Sequence, residues 1–365
     1  MYLAVQPAEA AALKKLTELI GVIVEDSAQI RPPGPPDFRA LEARLLPEFR
    51  FLLSRRGVRK AVEKVYQLPY LDRLRVYESF QNDKDFPRHI HDSGYRLSNL
   101  SDVSEKGYAA LKELCTCLSD ITFKDASESQ DSKSKKKLYD SALLRRRFRE
   151  HNGEFGQVCP VCLQEVYFSE WEGDVDHYFP KAAHPTLTFH PYNLLPTCSD
   201  CNGPKNKSSK EPVDPKDAGP GELQTVFLPY LRAASQEVEL NVVESGSAEN
   251  DLKIAINPGP GGGPWTGKRI ENMDRLYHLS SRWRGVLEKV CGDMKDENLQ
   301  KRAEGVTLEE WPAALREILS ATAKSTKGRS DFIKGVYCSW LLERSDEELL
   351  ERFPYRTLSL PPPEE

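Results

Sequence analysis

The sequence predicts a mostly helical α+β protein with a small cysteine-bracketed centre between two helical regions. Three observations carry that expectation. Apolar residues recur at helical spacing towards both ends, as in Leu13, Leu16, Ile20 and Ile23 and in Ile333, Val336, Tyr337, Trp340 and Leu341. Two Cys-x-x-Cys pairs, Cys159/Cys162 and Cys198/Cys201, frame the middle of the chain. Strand character is confined to short runs such as Val238 to Val243 and Leu252 to Ile256, which a polar SGSAEND turn separates.

Taken in order, residues 1–124 read as a helical domain for partner docking or regulation. Its first helix should stop before the Pro/Gly run from Arg31 to Pro36. A second starts near Asp37, a suitable N-cap, with Leu41, Leu45, Phe49 and Leu52 on one face and Pro47 as a kink. Lys106 to Ser119 is a further helix. His89 and His91 flank an Ile with no carboxylate or cysteine arrangement beside them. Residues 125–137 are polar and Ser-rich, the composition of a flexible linker. Residues 138–222 form the central unit, which opens with a basic helix from Leu138 to His151 and closes on a Pro/Gly/Asp loop from Glu211 to Glu222.

In residues 223–360 the short strands precede a helical C-terminal domain. GPGPGGGPW lacks the Lys-Ser/Thr ending of a phosphate loop and reads as an ordinary loop. Ile270, Met273, Tyr277 and Leu287 fit an amphipathic helix with Trp283 nearby. Thr307 with Glu310, and Ser345 with Glu348, are capping-box patterns with a helix between them. Its aromatic stripe reads as core. The PPPEE tail, 361–365, is expected to be disordered.

Composition limits the function classes. At 365 residues the chain can hold two or three domains, and its net charge of −5 gives no global attraction to nucleic acid. Locally, Lys133, Lys135, Lys136, Lys137, Arg145, Arg146, Arg147 and Arg149 run into the first cysteine pair. Such a run is either a solvated face or a stripe that follows a phosphate backbone. Cys115, Cys117, Cys291 and Cys338 show no framework spacing and read as buried free thiols. The start, MYLAVQPAEAAALKKL, soon meets charge, so no signal peptide is expected. No apolar run nears the ~20 residues that span a bilayer. A reducing cytoplasm and no membrane follow as expectations.

The chemistry concentrates between Cys159 and Lys207, which reads CPVC, then DVDHYFPK, then HPYNLLPTCSDCNGPKNK. Four thiolates from two Cys-x-x-Cys pairs suit one closed tetrahedral zinc site, Cys159, Cys162, Cys198 and Cys201, that staples two distant segments. Beside them lie an acid, an imidazole and two amides, the groups that metal-assisted phosphodiester hydrolysis needs.

This segment, about a seventh of the chain, resembles an HNH endonuclease of the ββα-metal type with a zinc ribbon. The rest is similar only more loosely to bacterial HNH proteins with helical flanks, some of them phage-defence effectors. The resemblance implies a central ββα-metal core with His177 as general base. Asp176 and Asn202 would hold a catalytic Mg2+ or Mn2+, whose preference for hard oxygen ligands they meet. Asn193 would be a positioning residue that bonds nearby backbone. Adjacent strand residues point to opposite sides, so Asp176 and His177 need a strand end to converge. Asp174, on the Asp176 face, is a candidate outer group. Lys205 and Lys207, with Lys135, Lys136, Lys137, Arg145, Arg146 and Arg147, are candidate phosphate contacts. His184 and His190 read as structural.

The expected activity is hydrolysis of DNA phosphodiesters to 3′-hydroxyl and 5′-phosphate ends, the end chemistry following from the resemblance. No sequence-reading module is evident. A non-specific nuclease endangers its own cell, which points to restraint by the flanking domains or by a protein partner such as an ATPase or sensor, and to phage defence. Two rivals stay open: a zinc-ribbon binding module without catalysis, and an RNase with the same site, since the site reads phosphate rather than base.

Overall fold

In a computed structural model, the residues described are 11–99, 102–121, 141–166, 173–207, 209–244, 252–295, 306–324 and 329–354. The expected linker, with Lys135, Lys136 and Lys137, and the expected tail lie outside them. The fold is mostly helical α+β, with two separate two-stranded sheets among the described residues.

The N-terminal helices are α1 (Ala11–Gln29), α2 (Phe38–Arg44), α3 (Arg50–Ser54), α4 (Arg56–Tyr66), α5 (Tyr70–Lys84) and α6 (Glu105–Ser119). Helix α1 buries Leu13, Leu16, Ile20 and Ile23 and packs on α5, while α4 packs on α6. Asp37 caps α2, its carboxylate accepting from the amides of Arg39 and Ala40. Pro47 interrupts the helical stretch, as expected, and the outcome is two helices separated by a 3-10 turn, Pro47–Phe49, rather than a kink. Proline has no amide proton and crowds the preceding turn, and here it breaks the helix.

Helix α7 (Ser141–Asn152) leads into the first cysteine pair. Strand β1 (Asp174–His177) pairs antiparallel with β2 (Leu194–Thr197), with Asp174 opposite Thr197 and His177 opposite Leu194. One short helical turn, α8 (Ser199–Asn202), follows and carries the second pair. Strands β3 (Val238–Glu244) and β4 (Leu252–Pro258) form the second antiparallel sheet.

The C-terminal helices are α9 (Thr266–Tyr277), α10 (Leu279–Lys295), α11 (Trp311–Ala323), α12 (Arg329–Leu342) and α13 (Asp346–Arg352). The expected amphipathic helix through Tyr277 and Leu287 breaks at His278, whose backbone is left-handed (φ 51°). Ser345 and Glu348 form the reciprocal capping box of α13. Thr307 and Glu310 do not. Glu310 itself is the cap residue of α11, and its carboxylate bonds back to Thr307. The stretch between the two patterns is two helices, α11 and α12. Ile333, Tyr337, Trp340 and Leu341 are core, as expected, while Val336 is only part-buried. Cys117 and Cys291 are also part-buried, in contrast to Cys115 and Cys338.

A single connected hydrophobic core runs from α1 through the cysteine centre to α13. Helices α5 and α6 both reach the 3-10 turn Pro185–Leu187, in the segment that joins β1 to β2. The N-terminal helices therefore abut the connection between β1 and β2.

Candidate functional site

The four cysteines converge. Val158 bridges to Glu165, and the Cys159 amide donates to the Gln164 carbonyl (2.7 Å). The turn closes through Leu163, which takes a left-handed backbone (φ 65°). At the second pair, Cys198 caps α8 and accepts from the Cys201 amide (3.1 Å). The Cys159 and Cys201 sulfurs are 3.8 Å apart, those of Cys162 and Cys198 3.6 Å, and all four lie within 4.8 Å of one another. Sulfurs about 2.3 Å from a tetrahedral zinc stand about 3.8 Å from each other, so the cluster fits zinc.

Burial pushes the Cys159 thiol well up. A dication is what makes four buried thiolates tenable. Arg282 donates to the Cys201 sulfur (3.2 Å), and the Trp283 indole donates to the Cys162 carbonyl (3.2 Å). Burial alone would lower the Arg282 pKa, but the sulfurs of Cys201 and Cys162 outweigh it and hold the guanidinium charged. Helix α10 thus supplies both a positive charge and an anchor to the cluster.

Asp176 is buried on β1. One carboxylate oxygen accepts from the Lys207 ammonium at 2.8 Å, and the same ammonium donates to the His177 carbonyl at 2.6 Å. Lys207 has no side-chain exposure. This corrects its expected role: an ammonium enclosed against a carboxylate does not face a phosphate. The other Asp176 oxygen, Oδ2, is buried without a partner, as are the Thr197 and Tyr277 hydroxyls. Burial raises the Asp176 pKa, and Lys207 opposes that.

His177 ends β1, and the chain bends at Tyr178 and Phe179. Its Nε2 lies 3.0 Å from the Thr188 carbonyl oxygen. A carbonyl only accepts, so the neutral ring carries its proton on Nε2 and keeps the Nδ1 lone pair free. Burial, then the charge of Lys181, pulls the ring's pKa down to about 3, against the opposing Thr188 bond. At neutral pH the imidazole is uncharged, with its lone pair on Nδ1.

Asn193 is fully buried and ties the β1–β2 connection together. Its Oδ1 accepts from the Phe179 amide (2.6 Å), and its Nδ2 donates to the carbonyls of Phe179 and Leu187 (3.0 Å each). Asn202 closes α8, part-buried, its side chain making no hydrogen bond to the described residues. Asp174 lies on the Asp176 side of β1. His184 bonds Glu211 (3.1 Å), and His190 donates to the Lys84 carbonyl (3.0 Å) and caps the turn Pro191–Asn193. Both histidines are structural.

The basic candidates divide. Lys205 and Arg146 are exposed, and Arg147 is part-buried. Arg145 is buried in α7, which removes it from the expected phosphate contacts, because its position on the helix faces the core. Sequence reasoning missed Lys181, Thr188 and the true place of Lys207. A lysine at Lys181, four residues past the histidine, was the visible signal for the first. The other two depend on contacts 11 and 31 residues away along the chain.

A second, divalent cation would find its donors in the unpartnered Asp176 Oδ2 and the Asn202 side-chain oxygen. An orphaned buried carboxylate oxygen fits a hard cation that keeps several waters. Among the described residues, the four cysteines are the one group of three or more His, Cys, Asp or Glu that converges on a point.

The fold and site together define a mostly helical α+β protein with a four-cysteine cluster that could hold a metal ion beside an Asp-His strand end. No protein-family model matches the chain, and no solved structure does. A curated protein, Septu protein PtuB of Bacillus thuringiensis, is 45% identical over 42 residues, covering 11% of this chain and 16% of that protein. No helix among the described residues is long and apolar enough to cross a membrane.

Proposed function

We propose that the chain is a metal-dependent HNH endonuclease that hydrolyses DNA phosphodiesters, with a structural zinc on the four cysteines. The carrying observation is His177, an uncharged imidazole held by the Thr188 carbonyl with Nδ1 free, one residue from a carboxylate with an unused oxygen. His177 Nδ1 takes a proton from water as the water oxygen bonds to phosphorus. The bond from phosphorus to the 3′ oxygen breaks, leaving a 5′-phosphate, and the 3′ oxygen takes a proton from solvent. A ring so reluctant to bind a proton becomes a better base when the phosphate's negative charge sits beside it.

Asp176 and Asn202 would hold Mg2+ or Mn2+, which would supply positive charge against the developing negative charge of the phosphate. Asn193 keeps the connection folded so that His177 and Thr188 stay in register. Lys205, Lys181 and the exposed Arg146 of α7 attract the backbone irrespective of sequence.

Nicking of supercoiled plasmid that requires Mg2+ and is lost in His177→Ala supports this reading. No cutting of DNA in Mg2+ or Mn2+ by the zinc-loaded chain refutes it, and cutting of RNA alone establishes the ribonuclease rival. The same logic of restraint leads us to propose a phage-defence effector controlled by a protein partner such as an ATPase or sensor. A cutting rate that no protein co-purifying with the chain from its native cell lowers or raises would contradict that control.

A further inference from the structure

The segment joining β1 to β2 is clamped from two sides. Asn193 holds it from within, whereas the N-terminal helices hold it from outside through polar bonds over long stretches of chain. Asp83, at the end of α5, is fully buried. Its Oδ1 accepts from the Ser98 amide (2.8 Å) and the Asn82 side chain (3.0 Å), and its Oδ2 accepts the Thr186 hydroxyl. Thr186 lies within the 3-10 turn Pro185–Leu187, and Thr188 is that turn's cap, with helical backbone angles and its own hydroxyl bonded to the Pro185 carbonyl (2.8 Å). The carbonyl of Thr188 is the one that meets His177.

We infer that Asp83 and Thr186 are positioning residues for His177. By fixing the turn, their bond aims the Thr188 carbonyl at Nε2 and so keeps the ring's lone pair on Nδ1. This rests on the nuclease reading for its catalytic consequence, but not for the state of the ring. A buried carboxylate with three donors allows the turn little freedom, because moving Thr186 leaves an acceptor unpaired. A simple structural bond would stabilise the chain without setting a tautomer. The N-terminal helices act, in this view, on which nitrogen of His177 carries the proton.

The test uses full-length, zinc-loaded protein carrying Thr186→Val, which keeps the side chain's shape and removes the hydroxyl. Long-range proton–nitrogen spectra of the labelled protein report the tautomer, with the His177 signals assigned from His177→Gln. The wild type should show protonated Nε2. Thr186→Val should show mixed tautomers, unchanged zinc content, duplex affinity within about twofold and cutting slowed at least about tenfold. Thr186→Ser should restore both the spectrum and the rate. Should Thr186→Val not fold, Asp83→Asn/Thr186→Val removes the orphaned charge as well and takes the same measurements. An unchanged His177 tautomer in the folded variant overturns the inference. A shifted tautomer in a protein whose wild type cuts no nucleic acid supports the inference and refutes the nuclease reading.

Discussion

Replacing Lys207 with Met removes the one cation that Asp176 contacts at 2.8 Å, while keeping most of the buried stem. The ion pair has almost no solvent around it, with side-chain exposures of 0% and 3%, so water cannot take over the lost interaction. Breaking a buried pair by removing one partner costs about 3–5 kcal/mol. The His177 carbonyl also loses a 2.6 Å donor, worth on the order of 1 kcal/mol more. Against a total stability of roughly 5–15 kcal/mol this is a large fraction. With about 2–4 °C per kcal/mol for large domains, Tm should fall by on the order of 10 °C. The assay is thermal unfolding of zinc-loaded protein without added Mg2+. The double variant Asp176→Asn/Lys207→Met, which leaves no orphaned charge, should recover about half of the loss. A single variant within about 1 kcal/mol of wild type, or a double variant no better than the single, would refute the reasoning.

Elemental analysis should find one zinc per chain, and a strong chelator should expose the four cluster thiols to alkylation and unfold the centre; purified protein without zinc refutes the site. Changing Arg146, Arg149 and Lys205 together to Ala should weaken binding to unrelated duplexes equally. It should also make the plot of log affinity against log salt shallower by up to about 0.9 per lost contact, and an unchanged slope places the DNA on another surface. Burial lowers the His184 pKa, but its bond to Glu211 and the charges of Glu211, Asp83 and Glu222 outweigh this and raise it. A raised folded value gives stability that is fully present below the unfolded pKa, about 6.5, and is lost as pH rises through the folded value. The stability deficit of His184→Gln should therefore be larger at pH 5.5 than at pH 9, and a pH-independent deficit contradicts the assignment.

The parts of this fold that the sequence made legible are the local ones. Asp37 and Ser345 announce their helices because a cap is a contact between residues two or three apart. The two Cys-x-x-Cys pairs announce their cluster because each knuckle is itself a short turn. The β3–β4 pairing follows from two alternating runs across a polar turn. Lys207 shows the limit. Lysines are seldom fully buried without a partner, and nothing near residue 207 says that its partner is Asp176, 31 positions earlier. Asp83 and Thr186, 103 positions apart, are likewise invisible to any local pattern. The break at His278 leaves no local sign, because the apolar spacing continues across it while the backbone does not.

The spacing of the two knuckles has a topological consequence. Cys162 and Cys198 are 36 residues apart, and zinc on the four sulfurs would make the chain between them a closed ring. That ring contains both strands of the hairpin, Asp176, His177 and Asn193. Closing a loop of this length removes about 4 kcal/mol of freedom from the unfolded chain, by the same entropy that a disulfide exploits. A protease that cuts once between residues 163 and 197 would therefore leave one particle rather than two, its halves bonded through the metal. They would part only under a chelator in denaturant, so a nicked chain should run as intact protein on a native column and as two fragments on a denaturing gel run with chelator.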